Sequence, residues 1–373
     1  MGRRHLLGVM LVLGAAGVGV AAEPGAPNAY GSEATRILDG AAGGSARLRG
    51  PRGMATDAAG NLYVAGQFSN NVLRISPSGE VEVVISAAGD GRGNKLQAPR
   101  SVAVDTKGNV LVAGEKSGNV FRVSPDGAIE RIFPFDDRRG PRLRRPTRVA
   151  VDATGNVYVI GQTSGNLIKI GLDGSARSLI SRRGDGSHAL ERPNALAVSD
   201  DGTAYVAGAR SNNVFRVTPA GKVTQIVDRF GPHDGHGLLF PSGLAVDDAG
   251  NVYVAGNNSG NVLKADPEGN VTIVVLPSRA GTVLSACSDI TTGADGSVYF
   301  TRLGMNSLWR LTPEGELDQL LDANGTGPGE VLGVARGVAV DDEGNVFVSG
   351  FGSNNVFKVV PSPAGWAPAG GGR

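Results

Sequence analysis

One turn-closing glycine recurs through the chain at nearly constant spacing: Gly60 in AAGNLYVAG, Gly108 in TKGNVLVAG, Gly155 in ATGNVYVIG, Gly202 in DDGTAYVAG, Gly250 in DAGNVYVAG, Gly296 in ADGSVYFTR and Gly344 in DEGNVFVSG. The intervals are 48, 47, 47, 48, 46 and 48 residues. A period held this closely means one supersecondary unit repeated seven times, in the length range of blade-forming repeats. Within the fifth copy, Gly243 to Asp247 reads as a short apolar strand, Asp248-Ala249-Gly250 as a turn and Asn251 to Ala255 as a second strand. Val262 to Ala265, the turn Asp266-Pro267-Glu268-Gly269 and Val271 to Val275 complete four strands. These strands are apolar on both sides, as expected of sheets sandwiched between neighbours. With 58 glycines and four methionines in 373 residues, the chain turns often and packs with small aliphatics, which argues against a helical protein. The predicted fold is all-β: a seven-bladed β-propeller of four-stranded antiparallel blades.

The ends of the repeat array predict how the ring closes. The last copy stops after its third strand, Val356 to Val360, and lacks a fourth. Ahead of the first copy, Ala34-Thr35-Arg36-Ile37-Leu38-Asp39 matches the fourth strand Val223-Thr224-Gln225-Ile226-Val227-Asp228 in pattern. The N-terminal strand is therefore expected to complete the last blade, giving a propeller over 34–360 without the exposed edges that an open stack of blades would leave. Before it, Arg3, Arg4 and His5, the apolar stretch Leu6 to Val20 and the small residues Ala21 and Ala22 read as a signal peptide over 1–22. Cleavage near Ala22 would leave a linker (23–33) and an exported, periplasmic or extracellular product. No later segment is apolar enough to span a membrane, and 361–373 reads as a loose Gly/Pro/Ala tail. The single cysteine, Cys287, cannot form an internal disulfide, so stability must come from the core. The ring is expected to be monomeric.

The core P-x-G-[VL]-A-V-D-x-x-G-N-[VL]-[YF]-V, followed by an R/K-[VI]-x-P-x-G turn, resembles the NHL repeat along nearly all of the chain after residue 33. That resemblance implies the propeller fold and is poor in function: such propellers include protein- and RNA-binding modules, and related ones are lyases and lactonases. The chain departs from the family at Gly66, Gly114, Gly161, Gly208, Gly256 and Gly350, where an aspartate is common. A gluconolactonase-like calcium site implies inward carboxylates from several inner strands, of which this sequence offers mainly Asp289. A streptogramin-lyase-like site implies a histidine base with acidic and metal support; the nearest candidates are His233 or His236 with Glu330.

Hairpin geometry sorts the loops by face. The first and third turns of each blade carry acids such as Asp57, Asp152, Asp201, Asp247 and Asp341, which are turn formers that bond their own backbone. The blade-to-blade links carry Arg92, Lys95, Arg182, Arg183, Arg192, Arg229 and Arg279, so a net charge of +1 conceals one acidic and one basic face. The densest basic run holds Arg138, Arg139, Arg142, Arg144 and Arg145, a candidate anion-binding loop because arginine forks suit carboxylates, sulfates and phosphates. Residues following each strand-initiating proline should ring the tunnel: Arg52, Arg100, Thr147, Asn194, Ser242, Ser288 and Arg336. Three arginines there predict an acceptor of anionic ligands, or a channel plugged by pairing with acids such as Asp289.

The loops between second and third strands end S-[NG]-N in six blades, which predicts a structural turn at positive φ. The sixth blade differs most: Cys287 replaces the proline, and Arg302, Asp289, Ser288 and Met305 form a candidate ligand wall beside Trp309. His188, His233 and His236 lie in successive links and are the candidate metal ligands, with zinc suited to three imidazoles. No cofactor is predicted otherwise, and a divalent metal would accompany an enzymatic role. Two readings follow. The first is an exported binding module for an anionic small molecule, glycan, peptide or protein, using the basic face and channel mouth. The second is a metal-assisted lyase or lactonase at the same mouth. Sparse histidine and few convergent carboxylates favour the first. Near-neutral charge and the lack of an aromatic stacking series argue against nucleic acid.

Overall fold

The computed structural model describes residues 32–40, 46–133, 140–276 and 286–361. The expected signal peptide, Arg138, Arg139, Arg279 and the tail beyond 361 lie outside them. The described residues form seven four-stranded antiparallel sheets and no helix, so none is long and apolar enough to cross a membrane. Blades 1 to 6 cover 51–85, 99–133, 146–180, 193–227, 241–275 and 287–321. Blade 7 combines 335–360 with the N-terminal strand Glu33–Asp39, which pairs antiparallel with Asn355–Val360 from Glu33 against Val360 to Asp39 against Asn355. The expected closure is therefore formed, with a register irregularity between Arg36 and Leu38. In the fifth blade the strands run Pro241–Val246, Val252–Gly256, Val262–Ala265 and Val271–Val275, within two residues of the sequence reading.

Burial explains the apolar runs. Second strands such as Val252–Gly256 are buried at every position, whereas fourth strands such as Val81–Ile85 are part-exposed on the outer rim. The core is divided among the blade interfaces, one apolar cluster to each. Leu308, Leu320 and Phe357 join blades 6 and 7, and Leu38, Met54, Leu73 and Val356 join blades 7 and 1. Because each cluster draws on two blades, no blade buries its own faces alone.

Two local devices recur around the ring. In the first turn, the Asp57 and Asp152 carboxylates accept backbone and side-chain N–H from the following Asn and a tyrosine hydroxyl, Tyr63 and Tyr158 respectively. Burial raises the Asp152 carboxyl, but bonds from Asn156, Thr154 and Tyr158 outweigh it and hold the pKa at about 2. Asp152→Ala is expected to lower stability at pH 7 by about 2 kcal/mol, read from urea midpoints. A carboxylate depressed by folding stabilises above its unfolded pKa of about 3.9, and the contribution disappears as pH falls through the folded value. The difference from wild type should therefore shrink between about pH 4 and pH 2.

The second device sits in the loops between second and third strands, where Asn70, Asn212 and Asn354 of S-[NG]-N endings and Asn306 of the divergent sixth blade have φ of 56°, 53°, 58° and 47°. Each of these asparagines accepts, through Oδ1, the backbone N–H of the residue two places before the next blade's second inner-strand position: Ala98, Phe240, Gly50 and Val334. The loop is thus a stitch between blades, in keeping with its structural reading.

Candidate functional site

The first strand of each blade lies innermost, so its early residues project into the central channel. Close approach of these strands requires small residues at intervals: a Cβ on Gly53 would lie 2.6 Å from the Arg100 carbonyl, and one on Gly337 would collide with that of Arg52. Where the same position carries a long side chain, it crosses the channel. Arg148 of blade 3 reaches Asp289 of blade 6 at 2.8 Å and donates to the Ser242 carbonyl at 3.2 Å. This bridge forms the throat.

Above the throat opens a cavity of about 390 Å³ on the basic face. Six of the seven expected ring positions line it: Arg52, Arg100, Asn194, Ser242, Ser288 and Arg336, while Thr147 is buried beside it. Ring closure makes blades 7, 1 and 2 neighbours, so Arg336, Arg52 and Arg100 form one arc. Blades 4, 5 and 6 present the neutral arc of Asn194, Ser242 and Ser288.

Six arginines (52, 100, 145, 148, 192 and 336) face two carboxylates, Glu115 and Asp289, a formal excess of four positive charges on the lining. Glu115 is buried, pairs with Arg145 and lies 3.6 Å from Arg100. Asp289 is committed to Arg148, and burial pushes its carboxyl up although Arg148 opposes this. Arg52 donates to Gln67 Oε1 at 3.0 Å and lies over the Phe351 ring at 5.8 Å. Arg336 stacks on the same ring at 5.3 Å, and among the described residues no carboxylate pairs with it. Burial lowers the pKa of Arg52, reinforced by repulsion from Arg100, Arg336 and Arg148; burial and Arg148 do the same to Arg336. Arg100 is also pushed down by burial, with Glu115 opposing. The Nε atoms of Arg100 and Arg336 and Oγ1 of Thr147 are buried without a hydrogen-bond partner. An anion seated here would relieve the repulsion among the guanidiniums.

Arg145 lines the mouth, whereas Arg142 and Arg144 are exposed on the approach to blade 3. The expected wall of the sixth blade is split. Ser288 and Asp289 face the mouth, but Arg302 is buried behind them between the rings of Phe300 and Trp309, against Cys287, and Met305 stands exposed on its loop. Arg302 occupies the strand-end position that is glycine in the other six blades, and it pairs in register with Cys287 on the channel strand. Burial raises the Cys287 thiol to about 11 although Arg302 draws it down.

The histidines do not gather. His188 and His233 line one groove beside Asp185 and Asp228, while His236 turns to Asp234 at 3.4 Å. Among the described residues no three His, Cys, Asp or Glu side chains are grouped to hold a metal ion. Glu330 pairs with Arg36 at 3.1 Å, in the link between blades 6 and 7, and meets neither His233 nor His236.

Sequence reasoning missed Arg148, Arg192, Glu115, Gln67, Gln162 and Asn257 in the mouth. Four of these, Gln67, Glu115, Gln162 and Asn257, share one position, the residue after the glycine that ends the second strand. That position reads Gln, Glu, Gln, Ala, Asn, Leu and Phe around the ring, variable beside a loop ending that repeats, and that contrast was the available signal.

Residues 223–264 match the family model SBBP, a β-propeller repeat. No curated protein matches the sequence. Among solved structures, a streptogramin B lyase superposes with TM-score 0.71 at 14% identity, covering 89% of this chain and 99% of that one. A catalytically inactive histidine-to-alanine variant of virginiamycin B lyase from Staphylococcus aureus, with quinupristin, gives TM-score 0.69 at 15% identity, covering 89% and 100%. A gluconolactonase from Xanthomonas campestris gives 0.51 at 16% identity, covering 81% and 96%. At these identities the likeness concerns the fold. Repeat, sheet order and superposition agree that the chain is a seven-bladed β-propeller, similar in fold to streptogramin lyase and gluconolactonase propellers.

Proposed function

We propose that this propeller is a binding module that takes an anionic ligand at its arginine-lined channel mouth. The observation that carries the reading is the excess of six arginines over two carboxylates in one cavity, with both carboxylates already in ion pairs. Guanidinium forks offer paired donors to a carboxylate, sulfate or phosphate, and the partly dry wall strengthens each such bond. Competing lyase or lactonase chemistry needs a base free to take a proton. The inactive virginiamycin B lyase variant lacks a histidine, and among the described residues no histidine lines this mouth. The proposal includes export: the basic start and apolar stretch before Glu23 would deliver the ring beyond the membrane.

Thermal unfolding of the chain with galacturonate, sulfate, phosphate, calcium or zinc tests the reading. A ligand that binds the folded ring stabilises it by about 2.7 kcal/mol at a hundredfold excess over its Kd. The expected result is a rise in Tm with the organic or inorganic anions that is lost in Arg52→Ala/Arg336→Ala. A rise confined to the divalent metals and abolished by chelator would overturn the reading in favour of metal-assisted catalysis.

A further inference from the structure

The channel mouth does not end at its rim. A second cavity of about 350 Å³ adjoins it over the link between blades 3 and 4 and shares Arg145, Gln162 and Arg192 with it. Together they make a trough running outward from the channel axis. The outer arm adds Arg182 and Arg210 against one acid, Glu191, which lies 3.5 Å from Arg210. Arg182 is held over the loop by donating to the Thr163 and Ser164 carbonyls, which fixes its position along the trough. Positive charge is thus distributed along a path, whereas a site for a single small ion would concentrate it at one point.

The groups between the arginines indicate what kind of polyanion fits. Gln162 Nε2 donates to Asn194 Oδ1 at 3.3 Å, and the Asn194 amide and the exposed Thr163 hydroxyl add neutral polar groups that suit a hydroxyl-rich chain. An extended peptide would need free backbone partners or apolar sockets. Here the amides of Gln162, Thr163, Ala209 and Arg210 already bond the carbonyls of Arg145, Arg144, Arg192 and Glu191, and Leu190 is fully buried. We infer that the ligand is an acidic oligosaccharide of the uronate type, one carboxylate seated in the mouth and later ones reaching Arg192, Arg182 and Arg210. This rests on the anion-binding reading of the mouth and extends it to a chain.

The test is calorimetric titration of the whole propeller with galacturonate, tetragalacturonate and tetraglutamate. Wild type is expected to bind the tetramer at least roughly tenfold more tightly than the monomer, since each added charge-assisted contact adds to the affinity. Arg182→Ala/Arg210→Ala should collapse that ratio towards one, with circular dichroism confirming an intact fold. Single Arg210→Ala, whose side chain is largely exposed, provides a milder second variant. Monomer binding with no gain from length, a gain untouched by either variant, or equal affinity for tetraglutamate would overturn this inference while leaving the mouth as an anion site. Failure of every anion to bind would overturn both.

Discussion

Leu38→Asp is expected to open the ring, and it should be the most damaging single change in the closing strand. Leu38 is buried, pairs with Val356 and packs into the cluster that joins blade 7 to blade 1. A carboxylate there must ionise in an apolar interface or hold its proton at a cost. Either way the loss is several kcal/mol, a large share of the 5–15 kcal/mol typical of a folded domain. The measurement is the urea midpoint against Glu33→Ala, at an exposed position of the same strand, which should leave it unchanged. An unshifted midpoint in Leu38→Asp would mean that the ring is stable without its N-terminal strand.

The second large effect is at the throat. Asp289→Ala leaves Arg148 without its carboxylate, in a channel where Arg52, Arg100 and Arg336 already repel one another. Breaking such a pair from one side costs about 3–5 kcal/mol, whereas replacing both partners by apolar groups is often neutral. Arg148→Met/Asp289→Leu should therefore be much closer to wild type in urea than Asp289→Ala. The single variant carries one more uncompensated positive charge in the mouth, so sulfate should stabilise it more strongly than it stabilises wild type. Equal stabilisation of both by sulfate would mean that the anion acts elsewhere.

The architecture was legible because it is local and repeated. Gly60 and its six counterparts fix the period, and Ala34 to Asp39 could be recognised as a missing fourth strand by comparison with Val223 to Asp228. The ring of residues after the prolines was legible for the same reason, since one position per blade must face the axis. The throat was not, because the Arg148 to Asp289 contact depends on two blades facing each other across a closed channel, which no local pattern encodes. Arg302 was misplaced as an exposed wall because its environment depends on Phe300, Trp309 and the small Cys287 behind it, which leave room for a guanidinium where other blades hold glycine. The histidines show the converse: proximity of their links in sequence did not bring three imidazoles to one point, because each turns to an aspartate of its own link.

The most direct measurement is anomalous diffraction from a crystal of the propeller soaked in selenate, a sulfate mimic with a strong selenium signal. A peak is expected in the mouth within hydrogen-bond distance of the Arg52 and Arg336 guanidiniums, absent from the Arg52→Ala/Arg336→Ala crystal. Selenium peaks confined to surface arginines, with none in the mouth of the wild-type ring, would contradict it.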